Sequence, residues 1–187
     1  EKELGGYKQD IDLLIPASAL HDLQRVLGDA EGDVKVTHDE QQVLFQVGDI
    51  ELVTRLVDGR YPDYRKLIPS DFSTQATLKK ADLVNVTKVS SLFARESAGS
   101  VTIEIDGAAK KLSIRSVASQ LGENIATAEA RAKGSGSITL NSRYLLDALG
   151  VLSGEEVVFS FNGKLEPTLL LDPAKPDYQH VIMPLKS

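Results

Sequence analysis

The sequence predicts an α+β fold made of repeated units, each with one helix followed by three short strands. Helical spacing of apolar residues recurs three times along the chain, and alternating apolar and polar residues follow each time. A Pro-Asp-Tyr triplet also occurs twice, at residues 62–64 and 176–178. Recurrence in a fixed order is typical of repeat architectures. Chance alternation of helices and strands is the alternative interpretation.

The first unit opens with a helix predicted over residues 15–28, which Gly28 ends. Its apolar face carries Leu20, Leu23, Val26 and Leu27. Extended segments follow, with apolar residues at 34 and 36, at 43, 45 and 47, and at 50, 52 and 53. One helix over a short sheet buries little, so we expect such units to pair with their helices side by side.

The second and third units occupy about 73–133 and 135–187. Their predicted helices span residues 81–93 and 140–152, with Asn141 as the N-cap of the latter. The run from Lys133 to Ser137 predicts a flexible joint between them. We therefore expect two domains: residues 1–69, a half domain plus linker, and residues 70–187, a complete domain. The partner of the first unit would precede Glu1.

Composition narrows the class of protein. Lys plus Arg total 21 and Asp plus Glu 27, and a net charge of −6 argues against a simple basic nucleic-acid binder. There is no Cys, which excludes disulfides and thiolate metal sites and suits a cytoplasmic protein. The chain begins on charged residues without Met, so we expect it to start inside a larger protein.

Three stretches resemble the bacterial DNA sliding clamp family, the beta subunit of DNA polymerase III. The first is residues 56–69, LVDGRYPDYRKLIP. The second is Leu140-Asn141 followed by residues 144–149, YLLDAL, and the third is the tail, residues 178–186, YQHVIMPLK. Their order and spacing make the resemblance specific, and it extends over essentially the whole chain.

The resemblance implies the DNA-clamp fold, in which helices face inward and antiparallel sheets lie outside, with three of six units in this chain. It implies a non-catalytic subunit of a DNA-directed DNA polymerase holoenzyme, needing no cofactor. The family forms a homodimeric ring around duplex DNA and tethers the polymerase III alpha subunit, the clamp loader and repair polymerases. We expect this chain itself to be monomeric or weakly associated. A protein-interaction module of the same fold without a DNA role is the alternative function.

The resemblance also implies three surfaces. Positions matching the family's peptide pocket are Pro62, Lys66, Leu67, Asn141, Tyr144, Leu165, Pro167, Val181, Met183, Pro184, Leu185 and Lys186. Positions matching its subunit contact are Leu92 and Phe93. Basic residues on or near the helices are the DNA-facing candidates, namely Arg25, Lys79, Lys80, Lys88, Arg95 and Arg143.

An enzymatic function has little support in the sequence. The three His residues are far apart, and we identify no catalytic or metal-binding residue. His38-Asp39-Glu40 resembles a metal-binding run but lies between two predicted strands, so a polar hairpin turn fits better.

Overall fold

The computed structural model describes residues 11–29, 32–61, 63–119 and 122–186. The chain divides into two compact units, Glu1–Asp63 and Tyr64–Ser187. The division falls inside the run 56–69 that was expected to link two domains, and the assignment of that run to either domain stays a prediction. No helix in the described part of the chain is long and apolar enough to cross a membrane.

The first unit contains one helix and a three-stranded antiparallel sheet. Its elements are α1 (Ala17–Asp29), β1 (Lys35–His38), β2 (Gln42–Val47) and β3 (Ile50–Arg55), with strand order β1-β2-β3. β2 buries Val43, Phe45 and Val47, whereas Leu20 and Leu27 of α1 are exposed. The helix and strands agree with the sequence prediction, but the apolar face of the helix is only partly covered within the described unit.

Asp39 forms the turn between β1 and β2. Its carboxylate accepts the backbone N–H groups of Gln41 and Gln42, both at 2.8 Å. These hydrogen bonds favour the ionised form and lower the pKa of Asp39. The hairpin turn predicted at residues 38–40 is confirmed.

The second unit contains two helices and nine strands among the described residues. The first half comprises β4 (Thr74–Lys79), α2 (Lys80–Phe93), β5 (Ser100–Asp106), β6 (Lys111–Ala118), β7 (Gly122–Glu129) and β8 (Arg131–Lys133). The second half comprises β9 (Gly136–Asn141), α3 (Ser142–Val151), β10 (Glu156–Phe161), β11 (Thr168–Asp172) and β12 (Lys175–Ile182). Short 3-10 helices span Tyr64–Leu67 and Ala94–Ser97.

The two halves of the second unit exchange their leading strands. The strand orders are β12-β11-β10-β4-β8 and β7-β6-β5-β9, so β4 joins the sheet of the second half and β9 joins the sheet of the first. α2 and α3 pack against each other, as expected for paired units. One core, including Leu83, Ile103, Leu145 and Phe159, therefore joins both halves.

The run from Lys133 to Ser137 is closely packed, and the prediction of a flexible joint is wrong. Lys133 ends β8 and Gly136 begins β9. Between them, Gly134 has φ +72°, and a Cβ placed there would lie 2.1 Å from the carbonyl oxygen of Ser73. Glycine is needed here for close backbone approach and for a left-handed conformation, not for mobility.

The two Pro-Asp-Tyr triplets have different local structures. Tyr64 begins a 3-10 helix, whereas residues 176–178 lie inside β12, which starts at Lys175. Pro176 is tolerated within it because β12 is an edge strand, where a missing N–H need not break the sheet.

Candidate functional site

Four of the residues predicted to bind peptide expose large apolar side chains. The exposed fractions are 46% for Leu67, 57% for Tyr144, 65% for Leu165 and 54% for Met183. Where exposed apolar side chains form one patch, they mark an interaction surface, because leaving them in water is unfavourable. All four belong to the second unit.

The C-terminal tail is hydrogen-bonded to both sheets of the second unit. The Thr168 hydroxyl donates to the carbonyl of Ile182 at 2.8 Å, at the end of the β11–β12 pairing. Three residues later, the N–H of Leu185 donates to the carbonyl of Thr139 in β9 at 2.9 Å. Met183 and Pro184 are therefore held between these two attachments. The chain leaves its sheet after Ile182, so β12 ends one residue before Met183.

The start of α3 lies beside the tail, because Asn141 is two residues from Thr139 on the same strand. The Asn141 side-chain oxygen accepts the N–H of Arg143 at 2.9 Å, which confirms the predicted N-cap. Its amide nitrogen donates to the carbonyl of Ala98 at 3.0 Å. One amide N–H of Asn141 is left over for a ligand.

The loop before β11 reaches the same region. The N–H of Glu166 donates to the carbonyl of Gly163 at 3.3 Å, a turn in which Leu165 is exposed. Pro167, half-buried, immediately precedes Thr168 and so adjoins the tail. The structure thus brings the loop, the tail and the start of α3 together.

For the remaining residues predicted to bind peptide, the structure gives their exposure and strand pairing. Lys66 and Leu67 are exposed on the 3-10 helix Tyr64–Leu67, and Pro62 lies outside the described residues. Val181 is half-buried and pairs with Leu169, and the side chains that follow Met183 are half-buried or exposed, namely Pro184, Leu185 and Lys186. The role of each in binding stays a prediction.

His180 lies in the part of the tail that belongs to β12. The Tyr178 hydroxyl lies 3.0 Å from its Nδ1 atom. Burial lowers the pKa of His180, and the nearby Asp147 carboxylate of α3 partly opposes this. In the sequence His180 stands alone, because Asp147 is 33 residues away along the chain.

The predicted DNA-facing residues are not equivalent in the structure. Lys88 on α2 and Arg143 on α3 are exposed, although Arg143 lies 4.0 Å from Asp147. The Lys80 ammonium donates to the carbonyl of Leu152 at 2.7 Å and thereby links the start of α2 to the end of α3.

The other three basic candidates lie elsewhere on the surface. Arg25 bonds Asp22 on α1, and Arg95 is exposed on the 3-10 helix after α2. Lys79 ends β4 on the sheet face that carries Gln75, away from the buried core. The structure therefore leaves Lys88 and Arg143 as the exposed candidates on the two helices of the second unit.

The predicted subunit contact lies beside a free sheet edge. Leu92 is exposed and Phe93 half-buried at the end of α2. The Ser90 hydroxyl lies 3.3 Å from the side-chain oxygen of Asn124, which puts this end of α2 next to β7, the edge of its sheet. Ile125 of β7 is exposed as well. The outward alternation of residues 123, 125, 127 and 129 could have identified this surface in the sequence.

No group of three or more His, Cys, Asp or Glu side chains able to hold a metal ion occurs among the residues that the structure describes.

Comparison with known proteins gives consistent matches. Residues 65–186, well over half of the chain, match the model of the DNA polymerase III beta subunit, C-terminal domain, and residues 3–63 match that of its central domain. The chain is 27% identical over 187 residues to the Beta sliding clamp of Staphylococcus aureus (strain Mu50), covering 99% of this chain and 49% of that protein. It spans about half the length of the curated relatives it matches.

Solved structures support the same relationship. The DNA polymerase sliding clamp from Bacillus subtilis is 30% identical with a TM-score of 0.81, covering 94% of this chain and 47% of that one. The DNA polymerase III subunit beta from Pseudomonas aeruginosa shares the fold, with a TM-score of 0.84 at 22% identity over 96% of this chain and 49% of that one. The chain belongs to the DNA polymerase III beta subunit family, the bacterial sliding clamps.

Proposed function

We propose that this chain acts as part of a ring-shaped clamp that encircles duplex DNA, and that it tethers the replicative polymerase through a peptide pocket. The observation that carries the proposal is the exposed apolar surface around Met183, on a tail attached to both sheets. Family membership supports a role in the processivity of DNA synthesis. Its setting would be the bacterial cytoplasm.

The chemistry of this surface suits a short peptide with apolar anchor residues. Met183 is flexible and polarisable, so it adapts to different anchors. Leu165 and Tyr144 add exposed apolar area, and the hydroxyl of Tyr144 makes no hydrogen bond within the described chain. Together with the spare N–H of Asn141, this hydroxyl can orient the backbone of a bound peptide.

Tethering explains how a non-catalytic subunit can accelerate synthesis. A polymerase held to a ring stays near its template at a high effective concentration. The same pocket would serve the polymerase III alpha subunit, the clamp loader and repair polymerases in turn. Contact with DNA needs only loose, sequence-independent attraction between phosphates and basic side chains such as Lys88 and Arg143.

Ring closure would use Leu92, Phe93 and the free edge of β7. An exposed edge strand next to exposed apolar side chains pairs readily with a strand of another subunit. In the homodimeric clamp the opposing surface would belong to a domain that neither matching family model represents. We therefore expect the chain to be monomeric in sedimentation experiments.

Titration with a fluorescent peptide ending in Gln-Leu-x-Leu-Phe tests the pocket. We expect saturable binding that Met183→Asp weakens at least about tenfold, because a carboxylate would be buried against apolar anchors. The matched control is Ile125→Asp, which places the same charge at a similarly exposed apolar position on β7.

Ile125→Asp should leave peptide affinity unchanged. Equal weakening by both substitutions, or no saturable binding of the peptide to the unmodified chain, would contradict the proposed pocket.

A further inference from the structure

One face of the five-stranded sheet is turned away from the hydrophobic core. The opposite face carries Phe159 and Leu170 into the main hydrophobic cluster. Because side chains alternate along a strand, Thr77, Val158 and Leu171 point away from that cluster. Such a face of an antiparallel sheet usually meets water and carries polar side chains. Apolar side chains on it are therefore candidates for a contact with another molecule.

Directly paired residues form a row across this face. From β12 to β8 its members are Gln179, Leu171, Val158, Thr77 and Arg131, and each pairs with the next. We call this set the open row. Val158 and Leu171 are neighbours within it and are both half-buried, so each keeps part of its apolar surface in water.

The next row toward the tail is already covered in its middle. It contains Leu169, which pairs with Val181 and with Ser160. Leu169 and Ser160 are only 4% and 1% exposed, although they lie on the same face of the sheet. Val181 is one of the predicted peptide-binding residues and is diagonal to Leu171, a separation of about 7–8 Å. The open row therefore continues the proposed peptide pocket.

The far end of the open row is basic. A cleft of about 310 Å³ beside Arg131 is lined by three basic residues and no acidic one. Its lining residues are Gln75, Lys110, Arg131, Ala132 and Lys133. The N–H of Ala130 donates to the carbonyl of Lys110 at 3.0 Å, so the turn before β6 closes the edge of β8. A ligand therefore reaches these cations from the face of the sheet and not by adding a strand.

Arg131 keeps binding capacity although it has a partner. It donates to Glu156 at 2.8 Å, but 71% of its side chain is exposed. A guanidinium carries five N–H donors, so Arg131 can bind a second carboxylate. The open row thus combines an apolar pair with a cation that can accept an acidic ligand.

The spacing of the strands defines the segment that fits. Strands lie about 4.8 Å apart, so Val158 and Arg131, two strands apart, are separated by about 10 Å. An extended chain advances about 3.3 Å per residue, so about three residues cover this distance. By the same arithmetic about four residues lead from Val181 to Val158. The open row therefore suits an apolar residue followed three residues later by an acidic one.

We propose that the open row binds an extended segment of the same partner that inserts its anchor peptide at Met183, an inference that rests on the proposed function. An aliphatic side chain of the segment packs on Val158 and Leu171. Acidic side chains about three residues further along contact Arg131 and Lys133. Burial of the apolar pair and charge-assisted hydrogen bonds add affinity. Partners that share the anchor peptide are thereby distinguished by their flanking residues.

Binding of three fluorescent peptides to the whole chain tests the proposal. The first is the short Gln-Leu-x-Leu-Phe peptide. The other two carry an eight-residue extension before or after it, with Leu at the fourth position and Glu at the seventh and eighth, counted outward from the motif. We expect one extended peptide to bind about tenfold more tightly than the short one. Gln in place of both Glu should reduce that gain.

Val158→Thr together with Leu171→Thr removes the apolar pair but keeps residues that suit a strand or its surface. This variant should bind the short peptide as the unmodified chain does and should lose the gain from the extension. The matched control is Val53→Thr together with Val117→Thr, because both valines are exposed on strands outside the open row. The control should keep the gain.

Equal affinity of the three peptides would overturn the inference and leave the proposed peptide pocket standing. Absence of saturable binding by every peptide would overturn both. Equal loss of the gain in the control variant, or equal weakening of the short and extended peptides by Val158→Thr with Leu171→Thr, would contradict a direct contact with the extension. Self-association in sedimentation that this double substitution abolishes would assign the open row to a second copy of the chain instead.

Discussion

Asp172 links the end of α3 to the turn between β11 and β12. It is buried, with 1% of its surface exposed, and its carboxylate accepts the N–H groups of Ser153, Gly154 and Ala174 at 3.0, 2.8 and 2.8 Å. These hydrogen bonds outweigh the effect of burial and lower its pKa. Because β12 leads directly into the tail, Asp172 helps to position Met183 relative to α3.

Asp172→Asn should lower the melting temperature at neutral pH, since an amide cannot accept all three N–H groups equally well. The folded pKa lies below the unfolded value of about 3.9. The contribution of the carboxylate is therefore present above that value and is lost as the pH falls through the folded pKa. In thermal melts, the difference in melting temperature between the unmodified chain and the Asp172→Asn variant should become smaller below about pH 4. A constant gap down to pH 2 would contradict this account.

At the scale of elements, apolar spacing in the sequence identified all three helices, and alternation identified most of the strands. It could not show that β4 and β9 exchange sheets, because strand pairing depends on contacts between distant residues. β8 was missed because Arg-Ala-Lys has no apolar alternation. The residues of the candidate site were predicted from family resemblance. The Leu185–Thr139 hydrogen bond, which holds the tail beside β9, joins residues far apart in the sequence, so no local pattern predicts it.

Alanine should have opposite effects on stability at two glycines, one in a tight turn and one within a helix. Gly134→Ala should destabilise the protein by about 3 kcal/mol, because the new Cβ would collide with a backbone oxygen at a positive φ. Gly150 lies within α3 with open space around its Cα, so Gly150→Ala should stabilise by about 0.5–1 kcal/mol. Denaturant unfolding measures the change in the free energy of unfolding for each variant. Similar changes for the two substitutions would contradict the close packing at Gly134.

At the scale of the whole molecule, the described core is unevenly distributed. The main hydrophobic cluster draws all its buried residues from the second unit, from Ala76 to Ile182. The first unit buries few large side chains in its described part and leaves Leu20 and Leu27 of α1 exposed. A helix paired with α1, as α3 is with α2, would cover this face.

Residues 64–187 should therefore fold alone and unfold in one cooperative transition. We expect a melting temperature within a few degrees of the main transition of the whole chain, because the cluster stays intact. Calorimetry on both chains makes the comparison. A broad, non-cooperative transition of the shorter chain would show that the first unit is needed for the fold of the second.

The central claim is that the surface around Met183 binds the peptides of clamp partners. Met183 is the only methionine of the chain, so selective ¹³C labelling of methionine methyl groups gives a single NMR signal at this surface. Titration with the Gln-Leu-x-Leu-Phe peptide should shift that signal in a saturable manner, and a peptide with Ala in place of Leu and Phe should leave it in place. A methyl signal that stays unmoved while the peptide binds would contradict the claim.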